Sequence, residues 1–196
     1  MLNYISAELY KVRRRKSTWA LLALLLGLES LYILLFAHGE CYELLNAFVT
    51  TLTLGLPMAL LLSALVCSDM GRSGTLKNEL SAGLPRSRIY LGKLLSTIIV
   101  AVALCAVIVA FYLGLNLLLF PLGAGVDAAL ETLGQALLVA FPLWLGGLGL
   151  FHMLLFVIKG STAASIVYMV VVAVLGGGTL DLFVLFMPKL EPVVRV

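Results

Sequence analysis

Few residues in this chain have the types and spacing that chemistry needs. His152 with Ser161 or Ser165 would supply a base and a nucleophile, but no GxSxG-like nucleophile turn surrounds either serine. His38 and His152 are far apart and, by the topology argued below, lie on opposite sides of a membrane, so a shared metal site is not expected. Cys41, Cys67 and Cys105 are scattered, odd in number and without metal-ligand spacing, and they read as packing residues. The chain contains no GxxxxGK[ST] and so has no phosphate-binding loop of its own. One acid stands out. Glu29 sits inside a long apolar run, about 18 Å from its start at 1.5 Å per residue, where an ionisable group costs on the order of 2.5–3.5 kcal/mol. Such a group should face a bundle interior or water. It is either a carboxyl on a substrate path or partner site, or a protonated Glu hydrogen-bonded to a neighbouring span.

The elements that must position these residues are set by composition. The chain of 196 residues is 62% hydrophobic and 12% charged, with a mean hydropathy of +1.13. A soluble domain is about 45–50% apolar and about 25% charged, so most of this chain has lipid as its solvent. A net charge of +3 makes nucleic acid a poor partner, and the placement of the charges says more than their sum.

The expected fold is all-α: a polytopic membrane protein that forms one transmembrane domain over residues 1–196. Residues 1–16 read as an interfacial helix. Leu2, Ile5, Leu9 and Val12 share one face, and Lys11, Arg13, Arg14, Arg15 and Lys16 form a basic cluster at its end. Five spans follow, over residues 18–37, 47–67, 94–120, 131–158 and 162–187. The first is too long for a cleaved signal peptide and no small-residue cleavage site follows it. Pro57 is expected to kink the second span and Pro142 the fourth. Gly146, Gly147 and Gly149 are expected to let helices approach closely. Gly176–Gly178 are expected to interrupt the fifth span. Residues 38–46, with Glu40 and Glu43, and 122–130, with Asp127, read as loops without basic residues. All Lys and Arg except Lys189 and Arg195 fall in the N-terminal segment, the 68–93 loop and the turn at Lys159. The positive-inside rule then makes those three regions, and the N-terminus, cytoplasmic.

The loop at 68–93 is the one long polar passage within the oily sequence. Ser73 or Thr75 can cap a short helix, Leu76 and Leu80 are one turn apart with Leu84 beyond them, and Lys77, Asn78 and Glu79 fill the polar side. Gly83 then stops that helix and Pro85 opens the next, where Arg86, Arg88 and Lys93 would anchor to headgroups.

AELYKVRRRKSTWALL, near the N-terminus, resembles the opening of permease subunits of drug- and lantibiotic-export ABC transporters, the type-2 exporter group that includes bacitracin-resistance and lantibiotic-immunity permeases. The passage GTLKNELSAGLPRSRIYLGKLL is similar to their segment between the second and third spans, which builds a coupling helix that docks on an ATPase. The resemblance implies that Thr75, Leu76, Lys77, Glu79, Leu80 and Leu84 meet a cytoplasmic ATPase dimer. It also implies a second permease chain, identical or different, a plasma-membrane location, and ATP bound by the partner alone, so that the chain itself is not an enzyme and needs no cofactor. Such permeases usually have six spans, so the expectation here is a chain that lacks the last one, or one whose Gly176–Gly178 break makes the final run a hairpin.

Export of an antimicrobial peptide, drug or other amphipathic substrate is the activity these features imply. The alternative is a non-transporting membrane immunity or scaffold protein that binds a ligand or partner. A channel or secondary carrier would want several intramembrane charges, and only Glu29 qualifies.

Overall fold

The computed structural model describes residues 2–36, 41–67, 80–81, 83–120, 125–158 and 160–186, with side chains left undescribed at Phe36, Thr53 and 175–186. Every regular element among them is helical. In chain order these are α1 (Leu2–Arg14), α2 (Lys16–Phe36), α3 (Cys41–Thr51), α4 (Gly55–Cys67), α5 (Arg86–Leu119), α6 (Val126–Val157) and α7 (Ser161–Phe186). Among the described residues α2, α5 and α6 are long and apolar enough to cross a membrane, and α3 with α4 would make a fourth span. The fifth expected run is helical, but its described apolar part, Ser161–Val174, is shorter than a span.

Several boundaries differ from the sequence expectation, each for a physical reason. The expected loop at 38–46 is helical from Cys41, because Cys41, Leu44, Leu45, Phe48 and Val49 bury one side of α3 against α5 and α6. The second span is not a single helix kinked at Pro57. It breaks at a 3₁₀ turn, Leu52–Leu54, and α3 and α4 meet at 63°. Pro57 then lies in the first turn of α4, where a missing N–H costs little. α5 starts at Arg86, eight residues before the expected span, since Pro85 is itself its N-cap. At 34 residues it is about 51 Å long, well beyond the ~30 Å hydrocarbon core. α6 starts at Val126, so Asp127 occupies a first helical turn rather than a loop, favourably placed for the helix dipole. It runs through Pro142, and α7 runs through Gly176–Gly178 without the expected interruption.

Three apolar clusters hold the bundle. Tyr112 of α5 stacks on Phe48 of α3 with ring centroids 4.2 Å apart, among Ile33 of α2 and Leu133, Ala136 and Ala140 of α6. Ala59 of α4, Phe151 of α6 and Tyr168 of α7 form the second cluster. Val12 of α1, Val66 of α4 and Val100 and Leu104 of α5 form the third. α2 is the most peripheral span: Leu24, Leu28, Leu31, Leu34 and Leu35 are all at least half exposed, as suits a helix facing lipid.

In lipid the broken span needs its backbone satisfied by protein. Trp144 Nε1 donates to Leu52 O at 3.1 Å, and the hydroxyls of Tyr168 and Tyr112 donate to Leu56 O and Leu44 O at 2.7 and 2.8 Å. Gly55 makes the first contact possible: a Cβ there would lie 2.1 Å from the Trp144 indole nitrogen. Of the glycines on α6, Gly147 is the one at a close approach, where a Cβ would meet Tyr168 Oη at 2.9 Å, whereas Gly146 and Gly149 have open space. Trp19 and Trp144 are the two tryptophans, so Trp19→Phe leaves Trp144 as sole fluorophore. In that background Gly55→Val is expected to red-shift Trp144 emission and to lower stability in detergent by about 1–3 kcal/mol through overpacking. Unchanged emission and an unchanged thermal midpoint would contradict the Trp144–Leu52 clasp.

Candidate functional site

The stems of the central loop are the end of α4 at Cys67 and the start of α5 at Arg86, and α1 lies across both. Its buried face differs in detail from the expected apolar stripe. Leu2 is 79% exposed, while Tyr4, Glu8 and Val12 pack inward. The Tyr4 ring covers Gly92 so closely that a Cβ on Gly92 would lie 2.4 Å from Tyr4 Cδ1. One turn on, Glu8 is 2% exposed, and its Oε1 accepts from Lys11 Nζ at 2.8 Å and lies 3.3 Å from Lys93 Nζ. Lys93 is also 2% exposed, with its ammonium 5.9 Å from the Tyr4 ring centroid.

The corner between α1 and α2 is tied down as well. Thr18 Oγ1 donates to Val12 O at 2.8 Å and Trp19 Nε1 to Arg13 O at 2.9 Å, so the first turn of α2 satisfies the last carbonyls of α1. Arg15, at the corner itself, donates from Nη1 to Leu65 O, two residues before α4 ends. A guanidinium at a helix C-terminus also meets the negative end of its dipole. α1 is therefore fastened to the α4 stem through Arg15 and to the α5 stem through Glu8 and Lys93.

Of the other residues singled out by sequence, Thr75, Leu76, Lys77 and Glu79 lie outside the described residues. Leu80 and Leu84 are half-buried. Between them Gly83 adopts φ +82°, and its N–H donates to Leu80 O at 3.0 Å, a glycine stop of the expected kind. Arg86 and Arg88 are exposed, as are Lys11, Arg13, Arg14 and Lys16, with Arg14 stacked 5.4 Å from the Tyr10 ring centroid. Lys93, expected at the headgroups, is instead inside the bundle with Glu8. It follows Gly92 on the inward face of α5, with Ser96 and Thr97, and a headgroup anchor would have to sit on the opposite side. Glu29 lies on α2, between three and four turns beyond its start at Lys16.

Two features escaped the sequence reading. Glu8 was legible in part: it falls three residues after Ile5 and four before Val12, on the apolar face, and three before Lys11. The contact of Cys67 Sγ with His152 Nδ1, at 3.6 Å between α4 and α6, carried no sequence signal, since 85 residues separate the pair. Tyr90 and Phe156 enclose His152 at ring-centroid distances of 5.1 and 5.2 Å, joining the α5 stem to the end of α6.

Removing one member of a buried ion pair leaves an uncompensated charge. Glu8→Ala is therefore expected to destabilise the protein by about 3–5 kcal/mol, and Glu8→Ala with Lys93→Met to recover most of that loss. Urea or thermal unfolding of the four members of this double-mutant cycle in detergent checks it; strictly additive losses would contradict a direct coupling.

Among protein families, the chain matches the one described as ABC-2 family transporter protein, over residues 4–176. Searches of the curated proteins and of the solved structures each found no match. Permeases of this kind are the membrane transport components that work with ATPase subunits. The matched residues include most of α1, the broken span, both stems of the central loop and most of α7. With that extent of match, the chain belongs to the ABC-2 transporter family and is a multi-pass membrane protein of the type-2 ABC exporter permease kind.

Proposed function

We propose that the chain is the permease subunit of an ATP-driven exporter of the drug and lantibiotic group, moving an amphipathic substrate such as an antimicrobial peptide or drug. Two permease chains form the path, and two cytoplasmic ATPase chains drive it. The N-terminus and the 68–93 loop are cytoplasmic, α1 lies in the membrane interface, and α7 supplies a fifth span. Thr75, Leu76, Lys77, Glu79, Leu80 and Leu84 form the surface that meets the ATPase. Arg13, Arg14, Arg86 and Arg88 hold the same end of the bundle to the headgroups.

The observation that carries this reading is the fastening of α1 to both loop stems, through Arg15 on Leu65 O and Glu8 on Lys93. A push on the loop then moves α4, α5 and α1 together, because none of the three can shift without breaking a buried contact. The broken α3–α4 pair adds a place for that motion to be taken up, since helices hinge where their backbone ladder is interrupted. Charge distribution supports the orientation. Every Lys and Arg of the described residues belongs to α1, the corner at Arg15, the first residue of α2 or the first turns of α5, which gather at one end. The opposite end carries Glu43, Asp127 and Glu131.

Leu80→Asp tests the docking assignment. The variant is expected to insert and purify as well as the parent but to lose co-purification with the ATPase subunit by about tenfold or more, the effect of placing a charge in an apolar contact. Undiminished co-purification would overturn the assignment.

A further inference from the structure

Between α1, the first turns of α2 and the middle of α5 runs an apolar groove of about 280 Å³. Its walls include Leu9 of α1, Trp19 and Leu22 of α2, and Val100, Leu104 and Val107 of α5. The neutral polar groups along it are already committed. Thr18 Oγ1 and Trp19 Nε1 both donate to carbonyls at the end of α1, so these residues offer the groove their apolar atoms. Arg13 is the charged residue of the lining, and it is exposed; Arg14 and Lys16, close to it in sequence, are exposed too. Glu8, the one acid of α1, is buried against Lys11 and Lys93, so it does not neutralise these cations.

Helix length places the groove in the bilayer. Counted back from Leu119, α5 reaches Val100 after about 30 Å, the thickness of the hydrocarbon core. From Lys16, α2 covers about the same distance with its 21 residues. Both measures put Arg13, Trp19 and Val100 at the headgroup boundary, and Trp19, 57% exposed, suits that level. From Val100 to Val107 the groove runs about 10 Å further into the hydrocarbon. It thus opens beside exposed cations and continues inward between apolar walls.

An apolar groove facing a bilayer is filled by hydrocarbon, and the charge at its mouth selects which lipid brings it. We propose that this groove binds a glycerophospholipid with a net negative headgroup. One acyl chain lies along Val100, Leu104 and Val107, and the Arg13 guanidinium pairs with the phosphate. Such a lipid bridges α1, α2 and α5, and so bears on the helix that is fastened to both loop stems. The site differs from a general attraction of basic residues to anionic membranes, because it needs both the charge of Arg13 and the open groove beside Ala103. It rests on the placement of this end at the headgroups, not on export.

The experiment is native mass spectrometry of the purified full chain in detergent, with phosphatidylglycerol and phosphatidylcholine of identical acyl chains at equal concentration. The wild type is expected to take its first lipid as phosphatidylglycerol, by about fivefold or more. Arg13→Gln is expected to lower that preference about fivefold, while Arg86→Gln, an exposed cation at the same end but outside the groove, leaves it unchanged. Ala103→Phe fills the groove from an exposed position without changing charge, and is expected to cut the first adduct of either lipid about fivefold or more. Glycerol 3-phosphate in excess, a headgroup without chains, is expected to displace nothing. Each variant is scored as its monodisperse species, and Arg13→Gln, a surface change, carries the decision. No first adduct, no preference between the two lipids, equal effects of Arg13→Gln and Arg86→Gln, an undiminished adduct in Ala103→Phe, or displacement by glycerol 3-phosphate each overturns the site. Lost selectivity in a chain that still co-purifies with its ATPase leaves the export reading standing; selective lipid binding by a chain that binds no ATPase does the reverse.

Discussion

The constraint on which this structure depends is that backbone polar groups inside lipid must find partners in the protein. A continuous helix meets it alone, as α5 does over 34 residues and α6 over 32 except at Pro142, which has no N–H to give. The α3–α4 pair cannot, because its ladder is interrupted at Leu52–Leu54. Aromatic donors on the neighbouring helices meet the need: Tyr112 from α5, Trp144 from α6 and Tyr168 from α7 each reach a carbonyl of the broken pair. Phenol and indole suit this task, since each brings one donor on a large apolar body. The same rings fill the apolar clusters between helices, so satisfying the break and packing the bundle are one act. Small residues at Gly55 and Gly147 follow as a consequence, because the rings have to come close to the backbone they serve.

The second organising contact is polar and lies at the basic end. An amphipathic helix that merely floated on the membrane would turn its carboxylate to water. α1 instead buries Glu8 against Lys93, under the Tyr4 ring and beside Val12. A buried ion pair is weak evidence of net stability, because the desolvation of two charges offsets much of their attraction. It is stronger as a specifier of register: slipping α1 by one residue would bury an unpaired charge. With Arg15 on the α4 stem, α1 is held in one position against both α4 and α5.

At the basic end, acid and base meet inside the protein and are satisfied. Further along α2 and α5, Glu29 Oε2 and Asn116 Oδ1 are buried with no hydrogen-bond partner among the described residues.

Much was legible without coordinates. Hydropathy alone determined that the chain is helical and lives in lipid, because in a solvent that cannot hydrogen-bond the backbone long apolar runs have few other solutions. The GTLKNELSAGLPRSRIYLGKLL passage and the N-terminal pattern sufficed for the family, and Gly83 as a helix stop followed from glycine's freedom at positive φ. Helix starts were less legible. Residues 38–46 looked like a loop because polar residues open the segment, yet burial of Leu44, Leu45 and Phe48 made its latter part helix. The break at Leu52 rather than Pro57, the pairing of Glu8 with Lys93 and the contact of Cys67 with His152 were decided only in three dimensions. Each depends on which residue of a distant helix stands opposite, and helical periodicity says which face a residue is on without saying what that face will meet.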